Sequence, residues 1–300
     1  MKIIITESQL ESLIPEQERL DGEGKTPKSK SDGMESYSLD KLAQLRSCLP
    51  SDEVAAAVTT VLKQKDKIKK IAGITDDKIF FTILRYAIGI LGRETDYGLG
   101  SVQDKVSLVT RNLPGGTWVM DAFEDLYGQG LSLGPAQFTP GAWEKYGLDD
   151  KVGDYDNVGR LFESLLGAFY RISTDYMLAL KRGLGKTPSI NPIAVNKGKI
   201  KNIDGTGNVS LDLAIIAHNM GQDKIKKYCK TNDINYNAPC DSPNGLYKPF
   251  KDKPAIKVTT NEWVPGYFPN LGFTKGEGQL TSIGYLEEVV KRAKQFTCIT

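Results

Sequence analysis

Residues 76–94, DDKIFFTILRYAIGILGRE, constrain the fold more than any other stretch. Apolar side chains recur on nearly every side of a helix drawn through them, which leaves almost no face for water. Such a helix belongs at the centre of a domain, with other helices packed around it. Its end is polar, Arg93-Glu94-Thr95-Asp96, and runs into Tyr-Gly-Leu-Gly, a helix stop. A carboxyl group is therefore expected where a buried helix surfaces.

The rest of the chain supplies that packing. Residues 38–49 have helical spacing behind a Ser38 cap. Residues 51–73 read as one helix capped by Ser51, with acids in its first turn and lysines in its last, as the helix dipole favours. Residues 139–148, TPGAWEKYGL, read as a short helix with Thr139 as cap and Pro140 at its first position. A long core helix is expected over 156–185, ended by Gly183. A further helix starts at Ser210 and stops at Gly221, and an amphipathic one spans 282–296. Residues 184–208 and 229–280 read as loop-rich, with AIKVTT (255–260) as a short strand. The expected fold class is mainly α (α+β): one helical domain over 37–300, a little β, and long insertions at 98–130 and 229–280. Loops this long commonly wall a binding cleft. Within residues 15–36 only Leu20 and Met34 are sizeable apolar residues, so residues 1–36 read as a flexible arm.

Composition narrows the partners. The formal net charge is +2, which makes no case for nucleic acid. With one histidine, His218, and four cysteines without a CxxC pair, neither a metal site nor a cofactor is implied. Cys48, Cys229, Cys240 and Cys298 read as free thiols, with Cys229–Cys240 as the alternative bridge. The apolar run of MKIIITES is too short for a signal-peptide core, and no stretch reaches the roughly 18 apolar residues of a membrane span. The chain is expected to be made in the cytoplasm, without a signal peptide.

Three side chains stand out as chemistry. Glu94 ends an apolar helix, and partial desolvation favours its protonated form, which a general acid for glycoside cleavage requires. Gln137 sits inside SLGPAQFTPGAW (132–143), where Gly134 and Pro135 shape a corner and Phe138 and Trp143 can pin it in the core. Its amide can donate to and accept from a sugar, or brace the loop. Asn219, in AHNMG, lies in the last turn of an apolar helix. It fits either a contact to an acetamido group or a helix C-cap.

In this order, Arg-Glu-Thr at a buried helix end, Gly-Pro-Ala-Gln-Phe-Thr-Pro opening a short helix, and Ala-His-Asn-Met-Gly ending another resemble the lytic transglycosylase and lysozyme-like superfamily. GPAQFTPGAWEKYGL is similar to the B-type lytic transglycosylases in particular. The resemblance covers residues 76–228, with a looser echo in 281–296. Thr95 stands where the family has serine, His218 where it has tyrosine, and Met220 where it has alanine.

The resemblance implies a lysozyme-like domain in which Glu94 is catalytic. It places Gln137 and Asn219 on the substrate, with Tyr285 as the late-helix tyrosine and Tyr267 as its rival. The expected substrate-binding set is Gln137, Asn219, Tyr285, Phe138 and Tyr97. The implied reaction is cleavage of the MurNAc-β-1,4-GlcNAc bond of peptidoglycan glycan strands by one carboxyl group. A hydrolytic lysozyme or endolysin is the alternative; it needs a second acid, for which Asp96, Asp121 and Glu124 are nearest in sequence. A non-catalytic lysozyme-like structural protein of a virion and a chitin-type glycosidase are further readings. A wall-cleaving enzyme without a secretion signal fits a bacteriophage tail or virion protein, with residues 1–36 docking it to a larger assembly.

Overall fold

The structure, a computed structural model, describes residues 39–97, 132–183, 193–196, 199–202, 204–223, 226 and 282–300. The chain divides into two units, Met1–Glu35 and Ser36–Thr300, and every described residue belongs to the second. The arm, both insertions, the 255–260 strand, Asp121, Glu124, Cys229, Cys240 and Tyr267 lie outside the described residues.

The described part is mainly α-helical. Its helices are α1 (Leu39–Cys48), α2 (Asp52–Lys63), α3 (Lys65–Ala72), α4 (Asp77–Thr95), α5 (Pro140–Lys145), α6 (Leu148–Lys151), α7 (Leu161–Lys181), α8 (Val209–Met220) and α9 (Ser282–Ala293). Helix α4 packs against α7 and α9, α7 against α2 and α8, and α8 against α9. The apolar circumference of α4 explains this: Phe80, Ile83, Leu84, Ala87, Ile88, Ile90 and Leu91 are all fully buried. No helix among the described residues is long and apolar enough to cross a membrane.

Several local expectations change. The helix expected over 51–73 breaks at Gln64 into α2 and α3. Six residues of α2 are buried but only Ile68 of α3, and the break lets Lys65 and Lys69 both reach the Asp77 carboxylate. Helix α7 begins at Leu161, after a 3-10 turn at Tyr155–Asn157. Helix α8 is capped by Asn208, whose side chain accepts from the Ser210 and Leu211 amides. The 184–208 stretch is not all loop: β1 (Ile193–Asn196) and β2 (Lys199–Asn202) pair antiparallel, with Ile193 opposite Asn202.

The cysteine reading is also corrected. Cys48 and Cys298 form a disulfide, with Cα atoms 6.2 Å apart across 250 residues of sequence. Helix α1 and the C-terminal tail pack into the same core, which brings the two thiols together.

Two glycines let the core close around the site. The Gly134 backbone is left-handed (φ +74°), and a Cβ there would lie 2.1 Å from the Val158 carbonyl oxygen. A Cβ on Gly167 of α7 would lie 2.8 Å from the Trp143 ring and 3.1 Å from Phe138. Only glycine allows these approaches.

Candidate functional site

Glu94 lies in the last turn of α4, half-buried like Arg93 before it and followed by the buried Thr95. Helix α4 ends there because Asp96 adopts a left-handed C-cap (φ 50°), and Tyr97 follows at φ 65°. Gln137 is left-handed too (φ 54°), and these three are the non-glycine residues with positive φ among the described residues. Such backbone costs about 1–3 kcal/mol per residue and collects at functional sites. Here it brackets Glu94 and the expected amide.

The three segments that carry Glu94, Gln137 and Asn219 meet. Thr95 Oγ1 donates to the Pro135 carbonyl at 3.0 Å. The His218 ring places Nε2 3.4 Å from the Ala136 carbonyl, which assigns the proton to Nε2. The Ala136 amide donates to Ser164 Oγ of α7 at 2.9 Å, and an isolated bridge pairs Leu133 with Phe138. The 132–138 loop is thus held from three sides.

Burial pushes the Glu94 carboxyl above its ordinary value; the Tyr285 hydroxyl, and then the charges of Arg93 and Arg171, act in the opposite direction. Tyr285 is buried on α9, and its hydroxyl is driven well above the usual phenol range by burial and by Glu94. That hydroxyl lies close enough to Glu94 for the two groups to shift each other, without closing a bond of full hydrogen-bond geometry among the described residues. The His218 ring stacks on Tyr285, with centroids 6.5 Å apart and planes at 13°. Burial and then Arg171 hold His218 neutral, and its Nδ1 has no hydrogen-bond partner among the described residues.

Arg93 has a partner on α9. Its Nε pairs with Glu288 at 2.7 Å, and its guanidinium lies over the Tyr285 ring. Arg171 is a buried cation on α7. Its Nη2 donates to the carbonyls of Ala217 (3.2 Å) and His218 (2.9 Å), two of the last four of α8. Its guanidinium lies over the rings of Phe138 and Tyr146.

The remaining expected residues are placed as follows. The half-buried Gln137 amide braces its own loop: Nε2 donates to the Gly134 carbonyl at 2.9 Å, and Oε1 accepts from Ser132 Oγ at 3.1 Å. Asn219 is exposed at the end of α8. Phe138 is wholly buried, edge-on to Trp143 and His218. The Tyr97 ring folds back over Gly92, against Phe296 and under the Arg292 guanidinium. Asp96 is exposed and pairs with Arg292 at 3.3 Å. Solvent therefore meets Glu94, Gln137 and Asn219, while Phe138 and Tyr285 lie beneath.

Sequence reasoning misses Arg171 and Asp175. An arginine inside the apolar run GAFYRIS was the available signal, because such a charge must find partners when its helix is buried. Asp175, one turn further along α7, accepts from Tyr146 Oη (2.9 and 3.1 Å to its two oxygens) and from Gln222 Nε2 (2.8 Å). Burial raises its carboxyl to about 6 against the opposing pull of Gln222, Arg171, Tyr146 and Lys145.

No family model, no curated protein and no solved structure matches this chain.

Proposed function

We propose that the protein is a peptidoglycan-cleaving lytic transglycosylase with Glu94 as its single acid and base. One observation carries this reading: a carboxyl held above its ordinary value at the mouth of a buried helix, bonded through its neighbour Thr95 to the loop bearing Gln137. The order of motifs noted in the sequence adds the substrate class.

In this mechanism the Glu94 carboxyl protonates the glycosidic oxygen between N-acetylmuramic acid and N-acetylglucosamine as the C1–O bond breaks. The substrate's own acetamido group stabilises the cation-like C1. The resulting carboxylate then takes the proton of the muramic C6 hydroxyl as O6 bonds to C1. A 1,6-anhydro end forms and Glu94 is again protonated. A raised pKa keeps the proton on Glu94 for the first step, and the nearby Arg93 and Arg171 charges stabilise the carboxylate between steps. Asn219 faces the N-acetyl sugar from the end of α8. A phage virion or tail setting, with residues 1–36 as the docking arm, belongs to the same proposal.

Mass spectrometry of muropeptides released from purified peptidoglycan tests the reaction. Products with 1,6-anhydromuramic ends, absent with Glu94→Gln, are expected. Reducing ends would make the enzyme a lysozyme with water as the nucleophile. No release from any of several wall types would count against cleavage altogether.

A further inference from the structure

Each expected substrate amide sits on an arm that leads back to one buried carboxylate. Gln137 lies two residues before the Thr139 cap of α5, and the C-cap of α5 is Tyr146, whose hydroxyl donates to Asp175. Asn219 lies three residues before Gln222, whose buried side chain also donates to Asp175. Asp175 is 2% exposed. One turn earlier on the same helix, Arg171 bonds the Ala217 and His218 carbonyls and lies 5.1 Å from the Tyr146 ring centroid. Helix α7 thus grips both arms from below with two charged side chains.

A charged group so deeply buried is costly to desolvate, and a well-packed apolar replacement is often as stable. Stability alone therefore does not account for Asp175. What a carboxylate supplies and a leucine does not is two directed acceptors that fix two donors at set positions. We propose that Asp175 is the positioning residue of this site, its carboxylate fixing through Tyr146 and Gln222 the spacing of the arms that carry Gln137 and Asn219. The inference rests on the cleavage reading above and assigns Asp175 to glycan binding rather than to bond breaking. The groups acting on Asp175 are Arg171 on its own helix, Lys145 and Tyr146 at the end of α5, and Gln222 after α8.

The test uses the full chain and soluble glycan strands prepared from peptidoglycan. Tyr146→Phe and Gln222→Leu each remove one tie, and each raises KM about tenfold with kcat within about twofold of wild type, the size of one hydrogen bond. Gln222→Glu supplies a rescue. Near about pH 5 the two carboxyls share a proton and restore the tie; near about pH 8 both ionise and repel. The ratio of its KM to the wild-type KM is therefore near one at the lower pH and tenfold or more at the higher. Ratios that stay flat with pH, or kcat and KM that worsen together in every variant, overturn the positioning role.

Hydrogen exchange separates failure of this inference from failure of the cleavage reading, because it needs no substrate. Asp175→Leu, which removes both acceptor oxygens, speeds amide exchange in both 140–146 and 217–222, Tyr146→Phe in the first only, and Gln222→Leu in the second only. Protection that is unchanged in Asp175→Leu contradicts the positioning role whether or not the wild type cleaves peptidoglycan.

Discussion

Thr95 Oγ1 donates a 3.0 Å hydrogen bond to the carbonyl of Pro135, 40 residues further along the chain. Both groups are buried. This bond fixes the residue beside Glu94 to the corner that presents Gln137. Thr95→Val keeps the shape and leaves the Pro135 carbonyl without that donor in a dry place. A loss of about 1–2 kcal/mol in urea unfolding is expected, together with a lower kcat/KM. Unchanged values of both would show that the bond does not set the geometry of the site.

Tyr285→Phe separates acidity from packing. The Tyr285 hydroxyl lowers the Glu94 pKa against the larger effect of burial. Without it, Glu94 keeps its proton to higher pH, so the basic limb of the rate profile moves up. The hydroxyl has no fully formed hydrogen bond among the described residues, so stability changes little. A basic limb that stays in place would remove Glu94 as the titrating acid.

Asp212 makes stability depend on pH. It is wholly buried on α8, accepts from the Thr206 amide at 2.8 Å, and is raised by burial to about 7. A folded value above the unfolded one means that the folded protein holds the extra proton. Stability is therefore greatest below the unfolded value of 3.8 and falls as pH rises from there to about 7. Asp212→Asn keeps an acceptor for Thr206 and removes the titration. Its stability relative to wild type should rise across that window, most steeply midway, with a slope of about 1.4 kcal/mol per pH unit at most. Parallel stability–pH curves for the two proteins would contradict this.

The Cys48–Cys298 disulfide closes most of the chain into one loop. Reduction, or replacement of both cysteines by serine, should lower unfolding free energy by about 2–4 kcal/mol. Denaturant titrations with and without reductant measure it. The serine variant should be insensitive to reductant, and a wild type equally insensitive would show that the thiols are unpaired in solution.

Features decided locally are legible in the sequence. Ser51 and Thr139 cap their helices, Pro140 takes the first helical position, and the apolar circumference of residues 76–94 marks the buried helix. Features decided by distant partners are not. IAVN and KIKN are four residues each, too short for a period of two to stand out from loop. Cys48 and Cys298 meet only because the first described helix and the tail share a core. At the site, Glu94 and the 134–137 corner are visible as sequence motifs. Arg171 and Asp175 are concealed inside a core helix, and the groups that explain them come from Tyr146, the end of α8 and Gln222.

Everything proposed for the site depends on Glu94. The direct measurement is release of dye from labelled peptidoglycan sacculi by wild type and by Glu94→Gln, with circular dichroism confirming that both are folded. Wild-type release that falls by about a thousandfold or more in the variant is expected for loss of the only general acid and base. A folded Glu94→Gln variant that releases dye at the wild-type rate would contradict the assignment of Glu94 and, with it, the proposed chemistry.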